Sequence, residues 1–380
     1  FPVLVMSRFK AAYGAASMLQ LLLVLLITVF IVTMVSISVV NQSELDSLRQ
    51  QQRKIQSKRS LPHLTPRRLL IGHLSSVNFK SGLANHVFEL ISLIGIARSL
   101  GRKPALPSSH YDHFLEDHRD LPHLLEAFER SDEQEVKGSQ NKHFEETLLR
   151  YHQSIQDELE KHEEEERIHV QVFHLQSFKY FSSSLSREEV LSLLELPHKL
   201  KHKAAWHLLY RDQLNTHDHR LCVHSRRRDF LFSKQHAASN ELFTLPAIEF
   251  MVDYVRSHFN ATSPLNIMIG DDAEWQADIV KSIYGTSSLL LPSNSSIPAV
   301  ASWHFARMYC DSVLLTASSS TFGWWLAYQA KGKHVFYNSI YSKPGGFGRS
   351  LDPDDYFPHD WTALEFDPST STVGIRERFF

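Results

Sequence analysis

The chain has few of the features that identify a chemistry at sight. Its 380 residues include only two cysteines, Cys222 and Cys310, so it has no disulfide framework. Both lie in apolar segments, where we expect buried free thiols, although a single bridge between them stays open. The formal net charge of −2 gives no overall basic field for nucleic acid. Walker, Gly-x-Ser-x-Gly and Cys-x-x-Cys motifs are missing.

Metal-binding patterns are scarce as well. His110, His113 and His118 lie close to Asp112 and could hold zinc, but scattered surface histidines are the simpler interpretation in a chain with 23 of them. One Asp-x-Asp spacing ends at Asp354, in a Gly/Pro-rich stretch away from any predicted strand end. We therefore predict that the protein requires no metal and no cofactor.

Charged residues are also absent between Lys10 and Glu44. Within that interval, Leu19–Val40 is almost wholly apolar and long enough for a helix that spans a bilayer. Arg8 and Lys10 precede the run, so the positive-inside rule places the short N-terminus in the cytosol and the rest of the chain in the lumen. The predicted segments are a cytosolic tail (1–16), a transmembrane anchor (17–40) and a stem (41–66).

The segments beyond the anchor fit a lumenal location. Sequons at Asn41, Asn260 and Asn294 are candidate glycosylation sites. The apolar spacing in the stem indicates a short helix, which could mediate a homodimer, while a disordered linker is an equal alternative.

Strands that alternate with helices predict an α/β fold with parallel sheets. Residues 131–167 are strongly polar and are expected to form solvated helices or an exposed insertion. We expect two facing Rossmann-like domains, at 67–215 and 216–380. The predicted elements are a strand at Leu69–Leu74, a helix at Asn85–Leu100, strands beginning at Leu221, Leu265 and Ser312, a helix at Ile248–Val255, and a last strand at His334–Asn338.

The strongest local pattern is His224-Ser-Arg226-Arg227-Arg228-Asp229. The arginines follow a predicted buried strand, and ligands of open α/β sheets bind outside the carboxyl ends of the strands. Arginine's planar donor fork matches phosphate geometry. A pyrophosphate site is therefore one interpretation, and a solvent-exposed basic loop is the other.

Two more polar segments follow predicted strands. Hydroxyls and a glycine in Ser318–Gly323 precede a helix, which suits an anion site at a helix N-terminus or a plain serine cap above core tryptophans. Asp271 and Asp272 could accept hydrogen bonds from a ribose or a base, or could cap a helix. The three segments fall at three strand ends of one predicted sheet.

These segments together resemble the α-1,2-fucosyltransferases of glycosyltransferase family 11. That family carries His-x-Arg-Arg-Gly-Asp-Tyr/Phe, Ser-Asp-Asp-x-x-Trp and Thr-Phe-Gly-Trp-Trp, which the segments at His224, Asp271 and Thr321 match. The loop around Asn85 is similar to its Gly-Arg-Leu-Gly-Asn-Gln pattern, and Tyr356–Trp361 to its Asp-Tyr-Phe-Pro segment. The resemblance runs over residues 70–365.

The resemblance implies a GT-B-like fold, a Golgi membrane location and transfer of fucose from GDP-fucose to the 2-hydroxyl of a β-galactoside, with inversion and without metal. Arg226, Asn85 and Asp229 are the catalytic candidates. The implied donor-binding residues are His224, Arg226, Arg227, Asp271, Asp272, Ser320, Thr321, Phe322 and Gly323.

The chain departs from the family pattern at several positions. Arg228 replaces a glycine, and Trp303 stands where many relatives have an aspartate. Two other kinds of protein stay open: another GDP-fucose transferase, of the α-1,6 or protein O-fucosyl type, and a catalytically inactive glycan-binding relative. No acceptor preference can be read from residues 106–200.

Overall fold

The computed structural model of the chain describes residues 68–74, 82–132, 141–143, 149–172, 174–198, 200, 210–292, 298–347 and 350–377. The predicted tail, anchor and stem, together with Asn41 and Asn294, lie outside these residues. Among the helices of the described residues, none is both long and apolar enough to cross a membrane.

The first sheet is parallel throughout and has the strand order β3-β2-β1-β5-β4. Its central strand β1 has the sequence LLIGHL and is buried over nearly its whole length, as expected for a parallel strand covered on both faces. It pairs with β2 on one side and with β5 on the other. The strands are β1 (Leu69–Leu74), β2 (Lys103–Pro107), β3 (Glu129–Ser131), β4 (Asn141–His143) and β5 (Arg167–Val172).

The second sheet has the order β12-β11-β10-β9-β6-β7-β8 and is parallel except for β12. The predicted strands at Leu221, Leu265 and Ser312 are confirmed as parts of β6, β7 and β9. The strands are β6 (His219–Ser225), β7 (Pro264–Gly270), β8 (Ser287–Leu290), β9 (Ser312–Leu315), β10 (His334–Asn338), β11 (Thr362–Asp367) and β12 (Thr372–Ile375).

The prediction that His334–Asn338 is the last strand was wrong, because β11 and β12 extend the sheet beyond it. The end of β11 and all of β12 except Val373 are partly or fully exposed, so neither strand shows a long apolar run in the sequence. The α/β class with parallel sheets is confirmed.

Helices cover the faces of both sheets. Helix α1, predicted at Asn85–Leu100, is buried on nearly all sides, which explains its weak amphipathic pattern. The helices are α1 (Leu83–Ser99), α2 (Ser108–Asp117), α3 (Pro122–Glu126), α4 (Gln153–Glu160), α5 (Lys179–Ser182), α6 (Arg187–Leu193), α7 (Arg211–Thr216), α8 (Arg228–Phe232), α9 (Glu241–Phe259), α10 (Ala273–Ser282), α11 (Val300–Tyr309), α12 (Thr321–Gln329) and α13 (Pro353–Tyr356).

Of the described residues in the polar segment 131–167, some form a helix and others form strands. Helix α4 buries Ile155 and Leu159 and exposes most of its other side chains, as the solvated-helix interpretation expects. Strand β4 pairs with β5 at the edge of the first sheet, which that interpretation missed. A strand of three residues is too short to show an alternating pattern.

Helices α1 and α12 join the first and second halves of residues 66–380, which form one compact unit. The ring of Phe88 lies 4.6 Å from the Trp324 ring and 4.9 Å from the Trp325 ring, centroid to centroid. The Trp325 indole N–H donates to the Ala84 carbonyl oxygen at 3.1 Å. The first turn of α1 is therefore fixed beside α12.

The two cysteines are joined, so the prediction of free thiols was wrong. Cys222 of β6 and Cys310, directly after α11, form a disulfide with a Cα–Cα distance of 5.5 Å. The two cysteines are 88 residues apart, so the sequence alone does not indicate that they pair. The packing of α11 against the sheet brings them together.

Breaking this disulfide should destabilise the protein. Because it closes a loop of 88 residues, the Cys222→Ala/Cys310→Ala variant should lose about 2–4 kcal/mol of unfolding free energy in urea titrations. Reductant should lower the midpoint of the unaltered protein and leave that of the double variant unchanged. Equal midpoints for the unaltered protein with and without reductant would contradict the bridge.

Candidate active site

Residues that follow strands of both sheets border one cleft. In the first sheet the strand order reverses between β1 and β5, and in the second between β6 and β9. Loops that leave adjacent parallel strands in opposite directions open a crevice at such a point, which is where ligands of α/β sheets bind.

Residues that follow each of these four strands line a cleft of about 530 Å³. The lining combines one guanidinium and one carboxylate with imidazoles, amides, hydroxyls and a few apolar side chains. The lining residues are Gly82, Leu83, Ala84, Asn85, Leu149, His174, Gln176, Arg226, Asp229, Phe230, Gln235, His236, Ala299, Ser319, Ser320, Thr321 and Phe322.

The cleft brings together part of the predicted site. Asn85, Arg226, Asp229, Ser320, Thr321 and Phe322 line it. The other predicted donor-binding residues are not in its lining: His224, Arg227, Asp271, Asp272 and Gly323. Their contacts show that they support the lining from behind.

Arg226 lies in the cleft wall with its guanidinium already oriented. Its Nε and Nη2 donate to the two carboxylate oxygens of Asp229 at 2.8 and 3.1 Å. Nε also lies 3.3 Å from Asp271 Oδ2, a charge contact without hydrogen-bond geometry. The backbone N–H donates to the Ser239 hydroxyl, which fixes the loop. Arg226 is therefore a preorganised cation, while both Asp229 oxygens are engaged by it.

Arg227 is held away from the cleft. Its Nε donates to Asp272 Oδ2 at 3.0 Å and its Nη1 to the Ser239 carbonyl oxygen at 2.6 Å. The guanidinium carbon lies 4.6 Å from the centre of the Trp275 ring, within cation–π range. These contacts join the loop after β6 to the start of α10.

Asp271 and Asp272 complete the same junction. Asp271 Oδ1 accepts the Arg227 backbone N–H at 2.9 Å. Asp272 caps α10 by accepting the Trp275 N–H, the alternative that the sequence had left open. The two carboxylates thus position the arginine loop, and neither lines the cleft.

Helix α12 points its N-terminus at the cleft, where Ser319, Ser320, Thr321 and Phe322 form part of the wall. Ser320 caps the helix, and the partial positive charge of a helix N-terminus favours an anion there. Behind it, a Cβ on Gly323 would lie 2.5 Å from His224 Nδ1, so only glycine lets the helix pack against that ring.

His224 has a packing role in this structure. It is almost fully buried, and burial together with the positive charge of Arg226 lowers the pKa of its imidazole to about 3. The ring is therefore neutral at physiological pH. Its backbone carbonyl oxygen accepts from both the N–H and the hydroxyl of Thr316, which ties β6 to the segment after β9.

Asn85 connects the two walls of the cleft. Its Oδ1 accepts from the Thr321 hydroxyl at 2.7 Å and from Gln176 Nε2 at 3.0 Å. Thr321 belongs to the second half and Gln176 follows β5 in the first half. With the oxygen doubly engaged, the amide N–H groups of Asn85 remain for a ligand.

The loop after β5 is strained. His174 and Leu175 have φ angles of 64° and 41°, in the left-handed region that non-glycine residues seldom adopt. Such a conformation costs about 1–3 kcal/mol per residue and is concentrated at functional sites. Two buried side chains of α1 hold it: Glu89 Oε1 accepts the His174 N–H at 2.7 Å, and Ser92 Oγ donates to the Leu175 carbonyl oxygen at 2.9 Å.

His236 occupies the opposite wall. Its ring stacks on Phe230 at 4.2 Å between centroids, and its Nδ1 lies 3.0 Å from the Ser319 hydroxyl oxygen. Burial is the main cause that lowers the pKa of this imidazole to about 4, so the ring is neutral near pH 7.

Sequence reasoning missed His174, Gln176, His236 and Ser239. The first two follow β5, whose sequence RIHVQV alternates apolar residues at every second position, and that period could have identified the strand. His236 and Ser239 lie in an irregular segment between α8 and α9 without a comparable pattern.

The remaining predicted residues lie elsewhere. Trp303 is buried, stacks on Phe322 and donates to its carbonyl oxygen at 3.1 Å, so it supports a cleft residue from behind. Asn260 is exposed at the end of α9. Within the described ranges, no group of three or more His, Cys, Asp or Glu side chains has a metal-binding arrangement.

The chain is similar to several known proteins. Over about 85% of this chain and 87% of its own length, a Caenorhabditis elegans protein named provisionally as a glycosyltransferase is 32% identical. A galactoside 2-alpha-L-fucosyltransferase of the same organism is 28% identical over 75% of each chain. The crystal structure of the NodZ alpha-1,6-fucosyltransferase soaked with GDP-fucose shares 12% identity over 82% of this chain and 99% of its own, with a TM-score of 0.41.

The family model described as glycosyl transferase family 11 matches residues 36–365. This range includes the first sheet, the strands β6–β10 of the second sheet and the whole lining of the cleft. The chain therefore belongs to glycosyl transferase family 11 and is a glycosyltransferase.

Proposed function

We propose that the protein transfers L-fucose from GDP-fucose to the 2-hydroxyl of a galactose in a glycan, with inversion at the anomeric carbon. Membership of glycosyl transferase family 11 and the similarity to galactoside 2-alpha-L-fucosyltransferases support the proposal. The observation that carries it is Arg226, a preorganised cation at the switch point of the second sheet and beside the N-terminus of α12.

In this proposal the pyrophosphate of the donor lies between Arg226 and the N-terminus of α12. Negative charge grows on the departing GDP as the bond to fucose breaks. A cation and helix N–H groups that are already in place stabilise that charge without reorganisation. Ser320 and Thr321 close this end of the cleft, and the two halves correspond to the facing domains of a GT-B arrangement.

The acceptor is proposed to enter from the side of the first sheet. Asn85 offers its amide N–H groups to the reacting sugars, because its oxygen is already held by Thr321 and Gln176. Asp229 orients Arg226 and lines the cleft beside it.

We further propose a single-pass Golgi membrane protein with a lumenal body. The apolar run at residues 17–40 supports an anchor, and the Cys222–Cys310 disulfide fits an oxidising compartment. Asn41, Asn260 and Asn294 are the proposed glycosylation sites, and a stem-mediated homodimer is compatible with this arrangement.

The three consecutive arginines provide a matched set of variants for this proposal. Arg226→Ala should reduce turnover with GDP-fucose and a β-galactoside by about 10²–10³, because a preorganised charge is lost from the transition state. Arg226→Lys should restore little, since an ammonium cannot reproduce the bidentate fork. Steady-state release of GDP, with linkage analysis of the product, measures both effects.

Variants of the two neighbouring arginines distinguish effects on catalysis from effects on stability. Arg227→Ala should lower the free energy of unfolding by about 1–3 kcal/mol through the lost contacts to Asp272 and Trp275. Arg228 is exposed, so Arg228→Gly, which restores the family residue, should keep both activity and stability. Normal turnover and donor affinity in Arg226→Ala would contradict the proposed phosphate site.

The proposal also predicts that transfer survives chelation. The guanidinium of Arg226 takes the place of a divalent cation at the pyrophosphate. Turnover should be the same in EDTA as in added Mn²⁺. A complete loss in EDTA that Mn²⁺ reverses would show that the donor is held in another way.

Topology gives an independent test. The expressed full chain should carry N-linked glycans, so glycosidase treatment should increase its electrophoretic mobility, and intact membranes should protect the body from protease. Replacing all three sequon asparagines with glutamine should abolish the shift. An unshifted, protease-sensitive body would exclude the lumenal orientation.

A further inference from the structure

We propose that His174 is the general base that accepts the proton of the attacking galactose hydroxyl. This inference rests on the proposed function and names the residue that its inverting step requires. Direct displacement needs a group that removes the hydroxyl proton as the new glycosidic bond forms. That group must lie at the cleft, be unprotonated at the working pH and have a nitrogen or oxygen available.

The other titratable groups in the cleft lining fail one of these conditions. Both oxygens of Asp229 already accept from Arg226, on the donor side of the cleft. The Arg226 guanidinium has only N–H donors and no acceptor for a proton. His236 has its Nδ1 at the Ser319 hydroxyl and its ring face covered by Phe230, on the same side as the donor arginine.

His174 meets all three conditions. It lines the cleft on the wall that belongs to the first sheet, opposite Arg226. Its Nδ1 is buried and has no hydrogen-bond partner among the described residues, which is unusual for a buried polar atom. A small rotation of the ring toward the cleft would bring this atom to a ligand hydroxyl, which would then be its partner.

The backbone at His174 fixes where the ring lies. Its φ of 64° is held by the bond from its N–H to Glu89, a fully buried carboxylate of α1. The next residue but one, Gln176, holds Asn85. The strained loop therefore places the imidazole and the Asn85 amide as a pair on the acceptor side of the cleft.

Burial favours the neutral form of the His174 ring. Burial lowers the pKa of His174 below its ordinary value. Glu89 lies under the loop and faces the backbone N–H, while the opposite wall contributes Arg226, Asp229 and His236. As pH falls through the lowered pKa the ring is protonated, so base catalysis is lost on the acidic side.

The galactose oxygen attacks the anomeric carbon and forms the new C–O bond, while its proton moves to the His174 imidazole. The bond between that carbon and the phosphate oxygen breaks, and its electron pair leaves with GDP at Arg226. The imidazolium then releases its proton to solvent.

His174→Asn is the sharpest test, because asparagine adopts left-handed φ angles readily and keeps the loop while it removes the base. With the full chain, GDP-fucose and lactose, kcat should fall about 10²–10⁴-fold. The affinity for GDP-fucose and the unfolding midpoint should be retained. The acidic limb of the pH–kcat profile should disappear, and added imidazole should restore part of the rate.

His236→Asn is the matched control, and its profile should keep the acidic limb of the unaltered protein. A His174→Asn variant with unchanged kcat would overturn the inference, as would a reduced kcat with the acidic limb intact, which indicates a positioning role. If the unaltered protein itself transfers no fucose to lactose or to other β-galactosides, the proposed function fails and the inference fails with it.

Discussion

The contact between α1 and α12 is the constraint on which the cleft depends. Phe88 packs against two indole rings of α12, and the Trp325 indole N–H donates to the Ala84 carbonyl oxygen. Aromatic pairs of this kind add about 0.5–1.5 kcal/mol each beyond their buried area. Since both helices start at the cleft, this packing sets Asn85 opposite Thr321. The tryptophans therefore act on the site through helix position.

Some charged residues line the cleft, and others hold the lining residues in place. Asp271 and Asp272 anchor the loop that carries the arginines, and Asp229 holds the one guanidinium in the lining. The ion pair between Arg226 and Asp229 is weak, because the Asp229 carboxylate is largely exposed and its charge is screened by solvent. An anionic ligand can then bind, beside Asp229, to a cation whose orientation is already set.

The strand ends could be predicted from the sequence because each combines an apolar run with an abrupt polar segment. The roles within those segments could not, since consecutive arginines look alike in a sequence. Arg226 lines the cleft and pairs with Asp229, whereas Arg227 pairs with Asp272 behind it. Three-dimensional proximity likewise decides the Cys222–Cys310 bridge. The cleft wall after β5 was missed because this strand directly follows a polar stretch and its apolar alternation is short.

Helix α1 provides three polar side chains on which the cleft wall of the first sheet depends. Its first turn provides Asn85, and the next two turns provide the buried Glu89 and Ser92 that hold the strained loop after β5. A polar side chain within an otherwise apolar, buried helix costs free energy unless a specific partner satisfies it. Both residues satisfy backbone groups of that one loop. The cleft wall that carries His174 is therefore specified by polar positions that weaken the apolar pattern of α1.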